Sequence, residues 1–228
     1  MLKEYGSWSV MLISALTGLF ISNGSHIKGI SAILALSLFT NSKLVLTSWR
    51  REEYHKKYLL AFILQISAGV LILLFITGES LIKLLPFASI PLLYLLLLLF
   101  AGEHRIYTEI TGFATLTLSS LIVKFASTGI IDKTLYIAVA VFFIAGVSKV
   151  RVQLGKGLIW RILMILYTAF SLFIYHYIEI PLIVLLPLLD NLIFSIMPYR
   201  IKLKVIGWIE VLKGIIFLLL MVFYYKFV

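Results

Sequence analysis

Cysteine is absent from the 228-residue chain, which excludes disulfide bonds, thiolate metal ligands and cysteine nucleophiles. Charge is also scarce: Asp, Glu, Lys and Arg make up 13% of the residues, against about 25% in soluble proteins. Hydrophobic residues reach 62%. A soluble fold of this size could not hide so much apolar surface from water. The composition therefore predicts a membrane protein.

Nine apolar stretches are long enough to cross a bilayer, since a spanning helix needs about 20 mostly apolar residues. They lie at 6–22, 29–47, 58–78, 84–101, 109–126, 134–150, 160–176, 178–196 and 206–225. The fifth stretch is rich in Thr, Ser and Gly, whose small side chains suit close helix packing. We predict an all-α polytopic membrane protein with about nine transmembrane helices in a single integral membrane domain, residues 1–228.

Basic residues are distributed unevenly over the connecting segments. If the N-terminus is inside, fourteen of the 20 Lys and Arg residues fall on the inner side and five on the outer side. This asymmetry predicts a cytoplasmic N-terminus, an external C-terminus and a multi-pass location in the cell (plasma) membrane. The net charge of +10 follows from the same bias. The loops are too short to form a domain that binds nucleic acid, so we predict no nucleic-acid partner.

Polar residues inside or beside the spans mark the candidate site, because ionisable groups are costly in a membrane. The candidates for ligand binding are Lys3, Glu4, Asn41, Lys43, Glu109, Lys149, Arg151, Asp190, Glu210 and Lys213. If they converge, they form one polar pocket open to the cytoplasm. Alternatively, each basic residue simply extends to the interface. Helical spacing also predicts local ion pairs between Arg105 and Glu109 and between Glu210 and Lys213.

The chemistry of these candidates favours an anion. Lys43, Lys149 and Arg151 would suit a phosphate or carboxylate head, because Arg offers a two-pronged donor and Lys a point charge. Asp190 is the most isolated acid in an apolar context and is either a cation or proton site or a buried structural acid. Catalytic residues are not predicted, and no metal-binding motif is present.

The opening Lys3-Glu4-Tyr5-Gly6-Ser7-Trp8 resembles the K-E-H-G-A-W opening of the YwiC-like membrane proteins, with Tyr5 in place of the family's His. The acids near Arg105 and the segment Gly207-Trp208-Ile209-Glu210 are also similar to that family's pattern. The resemblance implies a multi-pass membrane protein and says little about activity.

The predicted topology more distantly resembles the UbiA-type prenyltransferases, which have nine helices, a cytoplasmic N-terminus and a cavity open to the cytoplasm. Their N-x-x-x-D-x-x-x-D motif would begin at Asn41, but Val45 and Trp49 stand where the acids belong. The end of the sixth span, at Ser148–Arg151, also lacks an acid. Because Mg²⁺ needs oxygen ligands, this sequence does not support Mg²⁺-dependent prenyl transfer, and we predict no cofactor.

These observations leave several functions open. The first is binding of an anionic lipid or isoprenoid head group in a basic cytoplasmic-side pocket, with membrane lipids as the partners. The second is a non-catalytic membrane subunit of a larger complex. The third is a small-solute or ion transporter that uses Asp190, Glu210 and Lys213. An enzyme with unfamiliar chemistry is the fourth.

Overall fold

The computed structural model describes residues 5–51, 55–154, 157–197 and 202–227. These residues form nine α-helices and two 3-10 helices, and no β-strand occurs among them. The α-helices are α1 (Tyr5–Ile21), α2 (His26–Arg51), α3 (Lys56–Thr77), α4 (Ser89–Phe100), α5 (Ile106–Thr128), α6 (Lys133–Gln153), α7 (Leu158–Tyr177), α8 (Leu189–Ile196) and α9 (Leu203–Phe227). The all-α prediction is confirmed.

Six continuous helical segments in the described ranges are long and apolar enough to cross a membrane. Two shorter apolar helices, Gly6–Ile21 and Leu182–Ile196, accompany them. The chain is therefore a multi-pass membrane protein. Every predicted span overlaps a helical segment, but the number of crossings and the orientation stay predictions.

The fourth and eighth predicted spans are not simple α-helices. A 3-10 helix, Gly78–Ala88, joins α3 to α4, and a second one, Leu182–Leu188, leads into α8. Each contains a proline, Pro86 or Pro187, which lacks the backbone N–H that an α-helix needs. The proline ring also clashes with the carbonyl of the preceding turn, and both spans change helix type part-way along.

Close packing of α1 against α5 organises one half of the bundle. The Ser119 hydroxyl donates to the Met11 carbonyl at 3.0 Å, and a Cβ added at Gly18 would collide with the Ser120 carbonyl. Lipid tails are as apolar as a protein core, so helices in a bilayer associate mainly through such close contacts. The predicted role of the small residues in the fifth span is confirmed here.

Aromatic packing between α6 and α9 organises the other half. The Phe142 and Phe217 rings stack with centroids 4.0 Å apart, and both side chains are buried. The Tyr175 hydroxyl of α7 donates to the Ala138 carbonyl of α6 at 2.7 Å. These contacts hold α6, α7 and α9 side by side and so position the polar residues that they carry.

Two groups of polar contacts lie at opposite ends of the bundle. At the end where α5 begins, ion pairs join Lys43 to Glu103 and Arg151 to Glu109. We call this the basic end. At the opposite end, Lys124 pairs with Asp132 at 2.6 Å.

Candidate functional site

Three helices bring four charged side chains and one amide together near the basic end. Lys149 of α6 binds the Asp190 carboxylate of α8 and donates to Glu210 Oε1 of α9 at 3.0 Å. Lys213 of α9 donates to Glu210 Oε1 at 2.9 Å and to Asn191 Oδ1 at 2.6 Å. We call Lys149, Asp190, Asn191, Glu210 and Lys213 the lysine–carboxylate cluster.

Local sequence explains how each side chain reaches the cluster. Glu210 and Lys213 are three residues apart and therefore share one face of α9. Asp190 and Asn191 lie in the first turn of α8, directly after the 3-10 helix that contains Pro187. On α6, Gly146 precedes Lys149 by one turn and lies beside Glu210: a Cβ added there would sit 3.5 Å from Glu210 Oε2. The absence of a side chain at Gly146 keeps this space open.

The lysines lie deeper than the carboxylates. The Lys149 and Lys213 side chains are 0% and 6% exposed, whereas Asp190 and Glu210 are 29% and 30% exposed. Lys149 Nζ also lies 5.7 Å from the centre of the Phe194 ring, at the distance of a cation–π contact. The cluster therefore has a basic floor and an acidic rim.

Buried donors in the cluster are not all satisfied. Asn191 is fully buried, and its Nδ2 has no hydrogen-bond partner within the described part of the chain, although its Oδ1 accepts from Lys213. Both lysine contacts of Glu210 go to Oε1. An unpaired buried amide donor costs roughly 1–3 kcal/mol. It therefore favours any bound group, or an ordered water, that can accept a hydrogen bond.

Arg151 lies in a second ion pair. Its Nε and Nη2 donate to Glu109 Oε2 at 2.9 and 2.6 Å, and Nη2 also donates to the His104 carbonyl at 3.2 Å. The guanidinium covers the Trp160 ring at 4.9 Å. Trp160 thus contacts a cation.

Only one of the two predicted local ion pairs forms. The Glu210–Lys213 pair is confirmed at 2.9 Å. Within the described residues Glu109 pairs with Arg151 rather than with Arg105, because α5 begins only at Ile106 and Arg105 precedes it in extended backbone.

The three basic residues expected to form one pocket occupy separate ion pairs. Lys43 lies 3.1 Å from Glu103, while Lys149 and Arg151 point to different helices because residues two apart in a helix do not share a face. Each therefore has a carboxylate partner from another part of the chain. Asn41 is half-buried on α2, two residues before Lys43. Lys3 and Glu4 lie outside the described residues.

A family comparison bears on the first half of the chain. The model of the family described as "YwiC-like protein" matches residues 1–127. The chain belongs to the YwiC-like family. No curated protein and no solved structure matches it. The likeness to the UbiA-type enzymes stays a prediction.

The matched part of this YwiC-like protein ends inside α5. It contains the Lys43–Glu103 pair and Glu109, whereas all five residues of the lysine–carboxylate cluster lie beyond it. The family match therefore supports the membrane-protein class and carries no information on the cluster.

At the opposite end of this YwiC-like protein, a shallow cavity of about 380 Å³ is bordered by Asp132, Thr134, Tyr224 and Tyr225. Asp132 is already occupied there: it caps α6 through the Leu135 N–H, binds Lys124 and lies 3.5 Å from the Tyr225 hydroxyl. These contacts hold the ends of α5, α6 and α9 together. In the described ranges, no group of three or more His, Asp or Glu residues could hold a metal ion.

Proposed function

We propose that this YwiC-like protein binds the phosphate-bearing head group of a membrane lipid or isoprenoid at the lysine–carboxylate cluster, in the cell membrane. The observation that carries the proposal is the fully buried Asn191 amide, whose Nδ2 is unpartnered within the described residues and whose Oδ1 accepts from the buried Lys213 ammonium at 2.6 Å. Phosphate oxygens accept hydrogen bonds from amides and ammonium groups, and such charge-assisted bonds are strong.

The depth of the cluster supports a head group as the ligand. Lys149 is four residues from the end of α6 at Gln153. At 1.5 Å per residue this places its Cα about 6 Å from the helix end, close to the level where lipid head groups lie. Basic residues in such positions bind acidic head groups in other membrane proteins.

The experiment compares lipids that remain with the purified protein. We would extract and identify them by mass spectrometry from the wild type and from Lys213→Met/Glu210→Gln, which removes one charge of each sign and keeps the cluster balanced. The matched control is Lys124→Met/Asp132→Asn, which removes the ion pair at the opposite end.

We expect one phosphate-bearing lipid to be enriched in the wild type and the control and lost from the cluster variant. Identical bulk lipid in all three samples would overturn the proposal. A stable protein partner in place of lipid would favour the subunit function instead.

Transport of a small cation is a second candidate, and one feature favours it. Asp190 lies where the helix changes from 3-10 to α geometry, and the carboxylates are the more exposed members of the cluster. Transporter sites commonly use discontinuous helices of this kind. Uptake of a monovalent cation into proteoliposomes, abolished by Asp190→Asn and unaffected by Asp132→Asn, would support transport over head-group binding.

A further inference from the structure

We infer that the head group bound at the lysine–carboxylate cluster carries an amine as well as a phosphate, so that the ligand is zwitterionic. This inference rests on the proposed head-group binding and specifies its chemistry.

Among the described residues, the charges of the cluster are balanced. Lys149 and Lys213 face Asp190 and Glu210, so the described cluster has two charges of each sign. A purely anionic head group would leave an excess negative charge among groups that are shielded from water, which is costly. A head group with one phosphodiester and one ammonium leaves the balance unchanged.

The order of burial in the cluster also favours a ligand with both charges. Because the carboxylates are more exposed than the lysines, an entering ligand meets acidic groups before basic ones. A lone phosphate would be repelled at that point. An ammonium on the same ligand would be attracted by the rim, while the phosphate is attracted by the floor.

Two hydrogen-bonding positions of the cluster are unused by the described residues. Among the described residues, Asn191 Nδ2 has no acceptor and Glu210 Oε2 accepts no hydrogen bond. Asn191 and Glu210 hold the same Lys213 ammonium, at 2.6 and 2.9 Å, so the unused donor and the unused acceptor are on neighbouring side chains. A phosphate oxygen fits the first and a primary ammonium the second.

Gly146 leaves room for the ammonium beside Glu210. A methyl group there would be in ordinary contact with Oε2 at 3.5 Å, whereas a branched side chain would fill the space. Gly146→Val therefore tests the position without altering any charge.

The experiment measures binding of three short-chain lipids with equal acyl chains to delipidated protein in detergent. Phosphatidylethanolamine has the phosphate and the amine, phosphatidylglycerol has the phosphate alone, and phosphatidic acid has a terminal phosphate. Water-soluble O-phosphoethanolamine is added as a competitor, and its success would show that the head group is recognised without the lipid tails. Asp132→Asn is the control for a carboxylate change remote from the cluster.

We expect the wild type and Asp132→Asn to prefer phosphatidylethanolamine over phosphatidylglycerol by about tenfold, as one charge-assisted hydrogen bond allows. Glu210→Gln should abolish the preference by weakening phosphatidylethanolamine, and Gly146→Val should do the same if Glu210→Gln fails to fold.

Equal or tighter binding of phosphatidylglycerol in the wild type, unaffected by Glu210→Gln, would overturn the inference and leave head-group binding standing. Absence of selective binding of any of the three lipids, together with identical lipid extracts from the wild type and Lys213→Met/Glu210→Gln, would overturn both.

Discussion

Individual residues in the cluster illustrate how a membrane interior tolerates charge. Lys149 has no exposed side-chain surface and is held by carboxylates from two other helices. Removing one partner of such a pair leaves the other buried and uncompensated, whereas removing both is often nearly neutral. The stability of this region therefore depends on the pairing rather than on the number of charges.

The first residue-scale prediction follows from this dependence. We expect Lys149→Met and Asp190→Asn each to lower the free energy of unfolding by about 3 kcal/mol. The double variant should cost less than the sum of the two, because both charges of the broken contact are then removed together. Thermal unfolding of the purified variants in one detergent checks the prediction, with the exposed Lys133→Met of α6 as the control. Strictly additive losses would contradict the pairing.

A second residue-scale prediction concerns the tyrosine that joins α7 to α6 by a hydrogen bond. Tyr175 is fully buried and donates to the Ala138 carbonyl at 2.7 Å. Tyr175→Phe should lower the free energy of unfolding by about 0.6–1 kcal/mol, the usual contribution of one hydrogen bond between membrane helices. The control is Tyr177→Phe on the same helix, whose side chain is 80% exposed. Equal unfolding temperatures for the two variants would show that the bond contributes nothing.

The sequence predicted the cluster only where its contacts are local. The Glu210–Lys213 pair follows from a three-residue spacing on one helix. Lys149 and Asp190 are 41 residues apart, and their contact depends on the packing of α6 against α8, which no spacing rule predicts. For the same reason the depth of the lysines below the carboxylates was not foreseen.

Among the helices, hydropathy predicted the positions of the apolar segments well and their geometry less well. An apolar run reports burial in lipid but not the hydrogen-bonding pattern within the helix. Pro86 and Pro187 change that pattern, which is why the fourth and eighth spans combine 3-10 and α geometry. The second of these changes places Asp190 at the start of an α-helix, facing the cluster.

Contact between α1 and α5 provides a prediction at this scale. A Cβ at Gly18 would collide with the backbone carbonyl of Ser120, so one of the two helices has to move. We expect Gly18→Ala to lower the free energy of unfolding by about 1–3 kcal/mol, the usual cost of overpacking. The measurement is thermal unfolding in detergent.

Gly6 supplies the control for this contact. It lies on the same helix, and a Cβ added there meets nothing within 4 Å. Gly6→Ala should therefore be neutral or slightly stabilising, since alanine favours the helix over glycine. If Gly18→Ala behaved in the same way, α1 and α5 would not approach as closely as described.

At the scale of the whole molecule, charge separates the two ends of the bundle. The basic end contains the lysine–carboxylate cluster and the Lys43 and Arg151 ion pairs. The positive-inside bias predicts that this end faces the cytoplasm. A head group bound at the cluster would then come from the inner leaflet.

Orientation is tested readily because the natural chain contains no cysteine. We would introduce single cysteines at Lys56, exposed at the basic end, and at Ile130, which is 65% exposed at the opposite end. In intact cells a membrane-impermeant maleimide should label Ile130→Cys at once and Lys56→Cys only after permeabilisation. The reverse pattern would place the cluster on the outer side and its lipid in the outer leaflet. Labelling of both sites in intact cells would mean that both lie on the outer side. In that case α3, α4 and α5 together would cross the membrane an even number of times.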